Sequence, residues 1–282
     1  MKLTLGLAHF VWLCTPLQGA TPVDRQSRIR SVARMGLRRV QLAVAFAALI
    51  AGCAQPARET APVAAPAAQQ VPKDFPADTY ARAAAQGQPV YRVDPAASLV
   101  SITVRRSGSL ARLGHDHIVA SHDAQGYVAQ EAGRADLYVP LDTLAVDEPA
   151  LRAEAGLDTQ PTETDIAGTR ANMLDKVLQT QQFPFAQIHV SGLARASTGV
   201  RLNVAITLHG VTRSFEIPAQ MTTGRDALSV AGALEFNQSD FGIQPFSILG
   251  GAIQVQDRLS LRFSIRARSV DSQALVVPGK LS

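Results

Sequence analysis

The chain is predicted to fold as an all-β protein, an antiparallel barrel of about eight strands with one helical insertion. Three observations support this. Apolar residues recur with a period of two in segment after segment between residues 99 and 267. Two such segments are joined by only two residues, His209-Gly210, which is hairpin spacing. One stretch alone, Thr164–Thr180, changes to helical spacing.

The clearest strands lie in Arg201–Pro218. Leu202, Val204, Ile206 and Leu208 point one way, and Asn203, Ala205 and Thr207 the other. If Leu208 pairs with Val211, then Ile206 faces Arg213, Val204 faces Phe215 and Leu202 faces Ile217. One inward position of an apolar ladder is therefore an arginine. An unpaired guanidinium is rarely buried, so Arg213 is expected at a cavity mouth or paired inside it. Histidine before the glycine leaves the turn type open.

The other elements follow in order. Val100, Ile102 and Val104 alternate with Ser101, Thr103 and Arg105. Ile118–Val128 and Arg134–Pro140 are further strands, the second with Ala135, Leu137 and Val139 on one face. Asp147–Gln160 is charged and irregular. In Thr164–Thr180, Ile166, Met173 and Val177 share a helical face, Thr164 is a candidate cap, and Pro184 bars extension. Strands return at Gln187–Leu193, Ala227–Asn237 and Arg258–Ala267. In the last, Leu259, Leu261, Phe263 and Ile265 alternate with polar residues.

Four motifs in order give a resemblance. Tyr91-Arg92-Val93-Asp94-Pro95, Phe183-Pro184, Leu208-His209-Gly210-Val211-Thr212-Arg213 and Ser239-Asp240-Phe241-Gly242-Ile243 resemble those of the YceI family, small periplasmic proteins with a lipocalin-like barrel. Ser214 departs from the proline usual in that family. The resemblance covers residues 90–268. It implies binding of an isoprenoid, an isoprenoid quinone or another long amphiphile.

The net charge of +4 is uneven. Residues 1–52 carry seven Lys and Arg against one Asp, so the remainder stands at −2. Nothing in the body suggests a nucleic-acid surface. Arg38-Arg39, the apolar run Val40–Ile50 and Ile50-Ala51-Gly52-Cys53 have the order of a secretory signal, and the last four residues resemble a bacterial lipobox. Residues 1–52 are expected to be a leader, with translation starting at Met35. Cys53 is expected to carry the acyl anchor of an exported outer-membrane lipoprotein. Residues 53–89, rich in Ala, Pro and Gln, are expected to be a flexible tether, with a few helical turns around Asp78–Ala85 as the alternative. Residues 269–282 form a tail.

Candidate sites come from this layout. Leu202, Val204, Ile206 and Phe215 from the hairpin, with Leu259, Leu261 and Phe263 from the last strand, are expected to line an apolar cavity. Arg213, or else His115, is expected to supply the polar contact that orients a ligand. His115 and His117 would share one face of a strand, as metal ligands often do, with His122, His189 or His209 as a third. A metal-binding role for that cluster is the alternative function. No Gly-x-Ser-x-Gly, phosphate loop or His-Glu-x-x-His is present, so no enzymatic activity is expected, and the only bound group expected is an isoprenoid-type lipid ligand.

Overall fold

A computed structural model describes residues 71–270. The leader, Cys53, Met35 and nearly all of the C-terminal tail lie outside these residues.

The strands are β1 (Tyr91–Val93), β2 (Leu99–Val104), β3 (Arg106–Ser107), β4 (His117–Ser121), β5 (Gln125–Ala129), β6 (Arg134–Pro140), β7 (Ala145–Val146), β8 (Phe185–Arg195), β9 (Val200–Leu208), β10 (Val211–Thr223), β11 (Ala227–Asn237), β12 (Ser247–Ile248), β13 (Ile253–Val255) and β14 (Arg258–Ser269). The helices are α1 (Ala77–Ala85), α2 (Pro149–Glu154) and α3 (Glu163–Asn172), the last running on into a π-helical turn, Met173–Val177.

These strands close an eight-stranded antiparallel barrel. Two of its staves are broken. β1 and β2 both pair with the same edge of β14, through Arg92↔Arg268 and Ile102↔Leu261. Pro95 forces a turn between them. Buried Ser98 holds that kink by donating to the Asp94 carbonyl at 2.8 Å and accepting from the Arg266 amide at 3.0 Å. β4 and β5 form the second broken stave, on β2 and β1 respectively. The sequence pattern of Ile118–Val128 suggests one strand there, but residues 122–124 interrupt it. β6, β8, β9, β10, β11 and β14 then complete the ring.

The β9–β10 register is the one the alternation predicts, Leu208↔Val211 through Leu202↔Ile217. His209 and Gly210 both have positive φ, 52° and 74°, as a type I′ turn requires. A Cβ at Gly210 would lie 2.9 Å from the Phe183 ring, which also packs on His209 at 4.4 Å. Phe183-Pro184 and the hairpin tip are thus one local unit.

β10 parts from β11 toward this end. Their pairing covers only Ala219–Thr223 against Leu228–Gly232. A short 3₁₀ turn, Gln238–Phe241, enters the gap. Phe241 is fully buried there against Phe236 and Phe215. Gly242, at φ 71°, ends the turn in the left-handed region. The Ser239–Ile243 motif is therefore a wedge in the barrel wall.

The helical insertion crosses the same end. Thr162, rather than Thr164, caps α3 and forms a capping box with Asp165. Ile166, Met173 and Leu178 pack on Val119, Val139, Leu141, Leu144 and Val146. The segment 147–160, expected to be irregular, contains α2.

The expected tether at 53–89 must be corrected at its C-terminal part. Residues 77–85 are helical, and α1 packs on the outside of the barrel. Tyr80 is 1% exposed and stacks on Tyr127 at 5.4 Å, while Phe75 meets Tyr138 edge-on at 4.9 Å. The Tyr80 hydroxyl donates to Asp136 at 2.6 Å. Asp136 also accepts from Arg134 at 2.9 Å and His189 at 2.6 Å.

Candidate functional site

The barrel encloses a cavity of about 480 Å³. Its wall follows from the period of two, because the apolar row of each strand faces inward. Leu202, Val204 and Ile206 of β9 line it, as do Leu259, Leu261 and Phe263 of β14. It extends from Gln130 and Arg134 at the β5–β6 turn to His115 and His117 at the helical end. A volume of this size, mostly apolar with few polar groups, suits one small hydrophobic or amphiphilic molecule.

Phe215 and Arg213 do not join that wall. Phe215 lies on the inward row of β10 but packs against Phe241, 6.3 Å between ring centroids, so the wedge stands between it and the space. Arg213, nearer the tip, lies beyond the β10–β11 pairing on the splayed part of the strand. Its side chain is exposed, and Nη1 donates to the neighbouring Thr212 carbonyl at 3.3 Å. Alternation set the facing of both residues correctly. The insertion that separates them from the interior is a non-local contact.

Polar groups gather at the helical end. His117 Nδ1 donates to Asp147 at 2.5 Å. Asp147 accepts also from the Ile118 amide at 3.0 Å and from Arg152 at 2.5 Å. Arg152 donates further to the carbonyls of Asp116 and Thr159. Burial by itself would raise the Asp147 carboxyl, but His117, the Ile118 amide and Arg152 outweigh it and hold the group below the usual carboxylate value. Asp116 behaves alike. Burial opposes its charge, but the Arg106 amide at 2.8 Å and Arg105 at 2.9 Å hold it below the usual value.

His115 is different. Its ring lines the cavity 6.1 Å from that of His117. Its Nδ1 is buried with no hydrogen-bond partner, and its Nε2 lies 3.8 Å from Asp165 of α3. The cavity therefore meets the other ring atoms of His115, a half-buried imidazole beside a mostly apolar wall.

The metal-ligand arrangement considered for His115 and His117 does not gain its third member. His122 faces Glu148 at 3.0 Å, His189 binds Asp136 outside the barrel, and His209 packs on Phe183. Among the described residues no group of three or more His, Cys, Asp or Glu is placed to hold an ion. Asp147 and Arg152 join the polar end of the site, although no local sequence motif marks them. Their only signal is a charged segment, and the positive φ of Asp147, 60°, is visible only in the fold.

A closed antiparallel barrel around an apolar cavity defines the lipocalin-like class of barrels. Within it, the chain belongs to the YceI-like domain family, whose profile matches residues 91–267. Among solved structures, it is similar to a polyisoprenoid binding domain from Saccharophagus degradans implicated in plant cell wall breakdown. That match has 14% identity and a TM-score of 0.46, and covers 64% of this chain and 98% of the other. It is also similar to Burkholderia cenocepacia BcnA, at 16% identity and a TM-score of 0.46, over 62% and 98%. A Campylobacter jejuni YceI protein matches at 11% identity and a TM-score of 0.36, over 52% and 81%. No curated protein matches the chain.

Proposed function

We propose that the barrel binds one long-chain amphiphile, with its apolar chain along the cavity and its polar head at His115. The observation that carries this is the cavity of about 480 Å³, with β9 and β14 contributing only apolar side chains to it and the His115 ring at its polar end. Each methylene taken from water contributes about 0.8 kcal/mol before ordering costs. The imidazole fixes direction rather than supplying most of the affinity. Membership of the YceI-like family favours an isoprenoid-type chain, a quinone included. The role is binding without catalysis. It belongs to the bacterial envelope, where the acyl anchor proposed at Cys53 would hold the protein; intact mass of the mature chain tests that anchor.

The ligand test is solvent extraction of the purified protein with mass spectrometry of the extract. A roughly stoichiometric lipid is expected. Leu261→Trp, which places a large ring in the cavity, should remove it while the chain stays folded. A wild-type extract without lipid would overturn the proposal.

A further inference from the structure

We propose that the rim formed by residues 105–114 and 246–255 is a membrane-docking surface, which sets the cavity mouth against an anionic lipid bilayer. The proposal rests on the reading of the cavity as a lipid site.

Four large apolar side chains are exposed among the described residues, and three lie on this rim. Leu113 is 57% exposed, Ile248 46% and Leu249 69%. The two segments form one surface. β3 pairs with β13, Leu110 donates to the Ala252 carbonyl at 2.8 Å, and Gly108 lies so close to Gly251 and Ala252 that a Cβ would clash at 2.5 Å.

The surface is continuous with the cavity. Phe246, Ile253 and Gly114 of the same segments line it, and Ile248 both lines it and reaches solvent. Leu249 has a φ of 53°, in the left-handed region that a branched side chain rarely adopts. Gly250 and Gly251 follow with φ of 65° and 89°. The turn thus presents its leucine outward, 69% exposed, at a conformational cost.

Charge selects the occupant. Residues 105–114 hold Arg105, Arg106 and Arg112 and no acid, and residues 246–255 hold no charge. Arg105 and Arg106 share the buried Asp116, and Arg106 also reaches Asp158 at 3.6 Å, so the rim keeps a positive surplus carried chiefly by Arg112, which pairs with no carboxylate among the described residues. Apolar tips fringed by arginine match the acyl boundary and phosphates of an anionic membrane surface. A second copy would bring the arginines face to face across a two-fold axis. Docking in this way would let a water-insoluble ligand pass between bilayer and cavity without crossing water.

The test uses the full chain carrying Cys14→Ser and Cys53→Ser, with Leu249→Cys labelled by an environment-sensitive nitrobenzoxadiazole dye. Ala196→Cys, on the exposed β8–β9 turn at the far end of the barrel, is the control. Vesicles are equal parts phosphatidylcholine and phosphatidylglycerol. The readout is local, so whatever else brings the chain to the vesicle does not decide it. The dye at 249 is expected to shift to shorter wavelength, brighten several-fold and be quenched by nitroxide-labelled acyl chains; the dye at 196 is not. Arg112→Glu or pure phosphatidylcholine should shrink the effect, and Leu113→Cys should reproduce it. Equal solvent exposure at 249 and 196 on vesicles would overturn the proposal. So would a concentration-dependent shift at 249 without vesicles, which would make a second copy the occupant. Insertion at 249 in protein that yields no extractable lipid would leave docking standing and remove the cavity function.

Discussion

The His117 imidazole donates its Nδ1 proton to Asp147 at 2.5 Å, and the Asp147 side chain is wholly out of solvent. This pair joins the start of β4 to α2, because Arg152 of α2 binds the same carboxylate. Arg152 is 6% exposed, so removing its partner strands a buried guanidinium. Asp147→Ala is therefore expected to cost about 3–5 kcal/mol, read as a lower urea midpoint at unchanged m-value. Asp147→Asn keeps the shape, and should lose less.

Acid should act through the same carboxylates. Asp116, Asp136 and Asp147 are all held below the usual value, each by charged and hydrogen-bonding neighbours that outweigh burial. The unfolded chain then takes up protons first as pH falls. The stabilisation from these groups is complete above the ordinary Asp value of about 3.9 and is lost as pH drops below it, through the folded values. Urea midpoints between pH 6 and pH 2.5 check this. Asp147→Asn should show a shallower acid limb than wild type, and an identical limb would remove Asp147 from the account.

The α1 contact divides into ring and hydroxyl. Burial first, and the bond to Asp136 second, push the Tyr80 hydroxyl well above its ordinary value, so it stays a donor at any physiological pH. Tyr80→Phe keeps the stack on Tyr127 and leaves Asp136 with Arg134 and His189, so a loss of about 1 kcal/mol is expected. Tyr80→Ala removes the ring as well, and should cost about 3–5 kcal/mol. Proteolysis at Arg82 reports whether the helix has come off the barrel. Rapid cleavage is expected for Tyr80→Ala alone.

The sequence makes the barrel legible wherever a local period decides the outcome. Leu202 to Leu208 and Leu259 to Ile265 show which side chains face inward, and two residues between matched runs set the β9–β10 register. What was not legible depends on contacts between distant segments. α1 is amphipathic, with Tyr80 and Ala84 four apart on its buried face, but its docking on the barrel depends on Tyr127 and on Asp136, which lies 56 residues beyond Tyr80. The break at residues 122–124 is set by pairing to two different partner strands. Asp147 reads as one more loop acid until its partners, 30 residues before it and 5 after, are in place. Phe215 and Arg213 fall on the correct row of their strand, but Phe241 enters from another part of the chain.

That wedge gives the sharpest contrast between pattern and structure. From alternation, Arg213 is the residue that should hold a ligand's head. In the fold, it is exposed beyond the wedge and bonds only to the neighbouring carbonyl, whereas the His115 ring lines the cavity. Arg213→Ala should therefore change stability by no more than about 0.5 kcal/mol, as surface substitutions do, and leave the lipid yield per mole unchanged. His115→Ala should lower the yield of polar-headed lipid while the barrel keeps its stability, since it removes no existing hydrogen bond. Phe241→Ala differs from both. It empties a buried site between β10 and β11, should cost about 3–5 kcal/mol, and lets Phe215 turn toward the cavity. Extraction yields and urea midpoints for the three variants, measured side by side, separate head contact from wall. A loss of lipid with Arg213→Ala at full stability, together with none from His115→Ala, would return the orienting role to the arginine and require the mouth to lie on the hairpin side of the wedge.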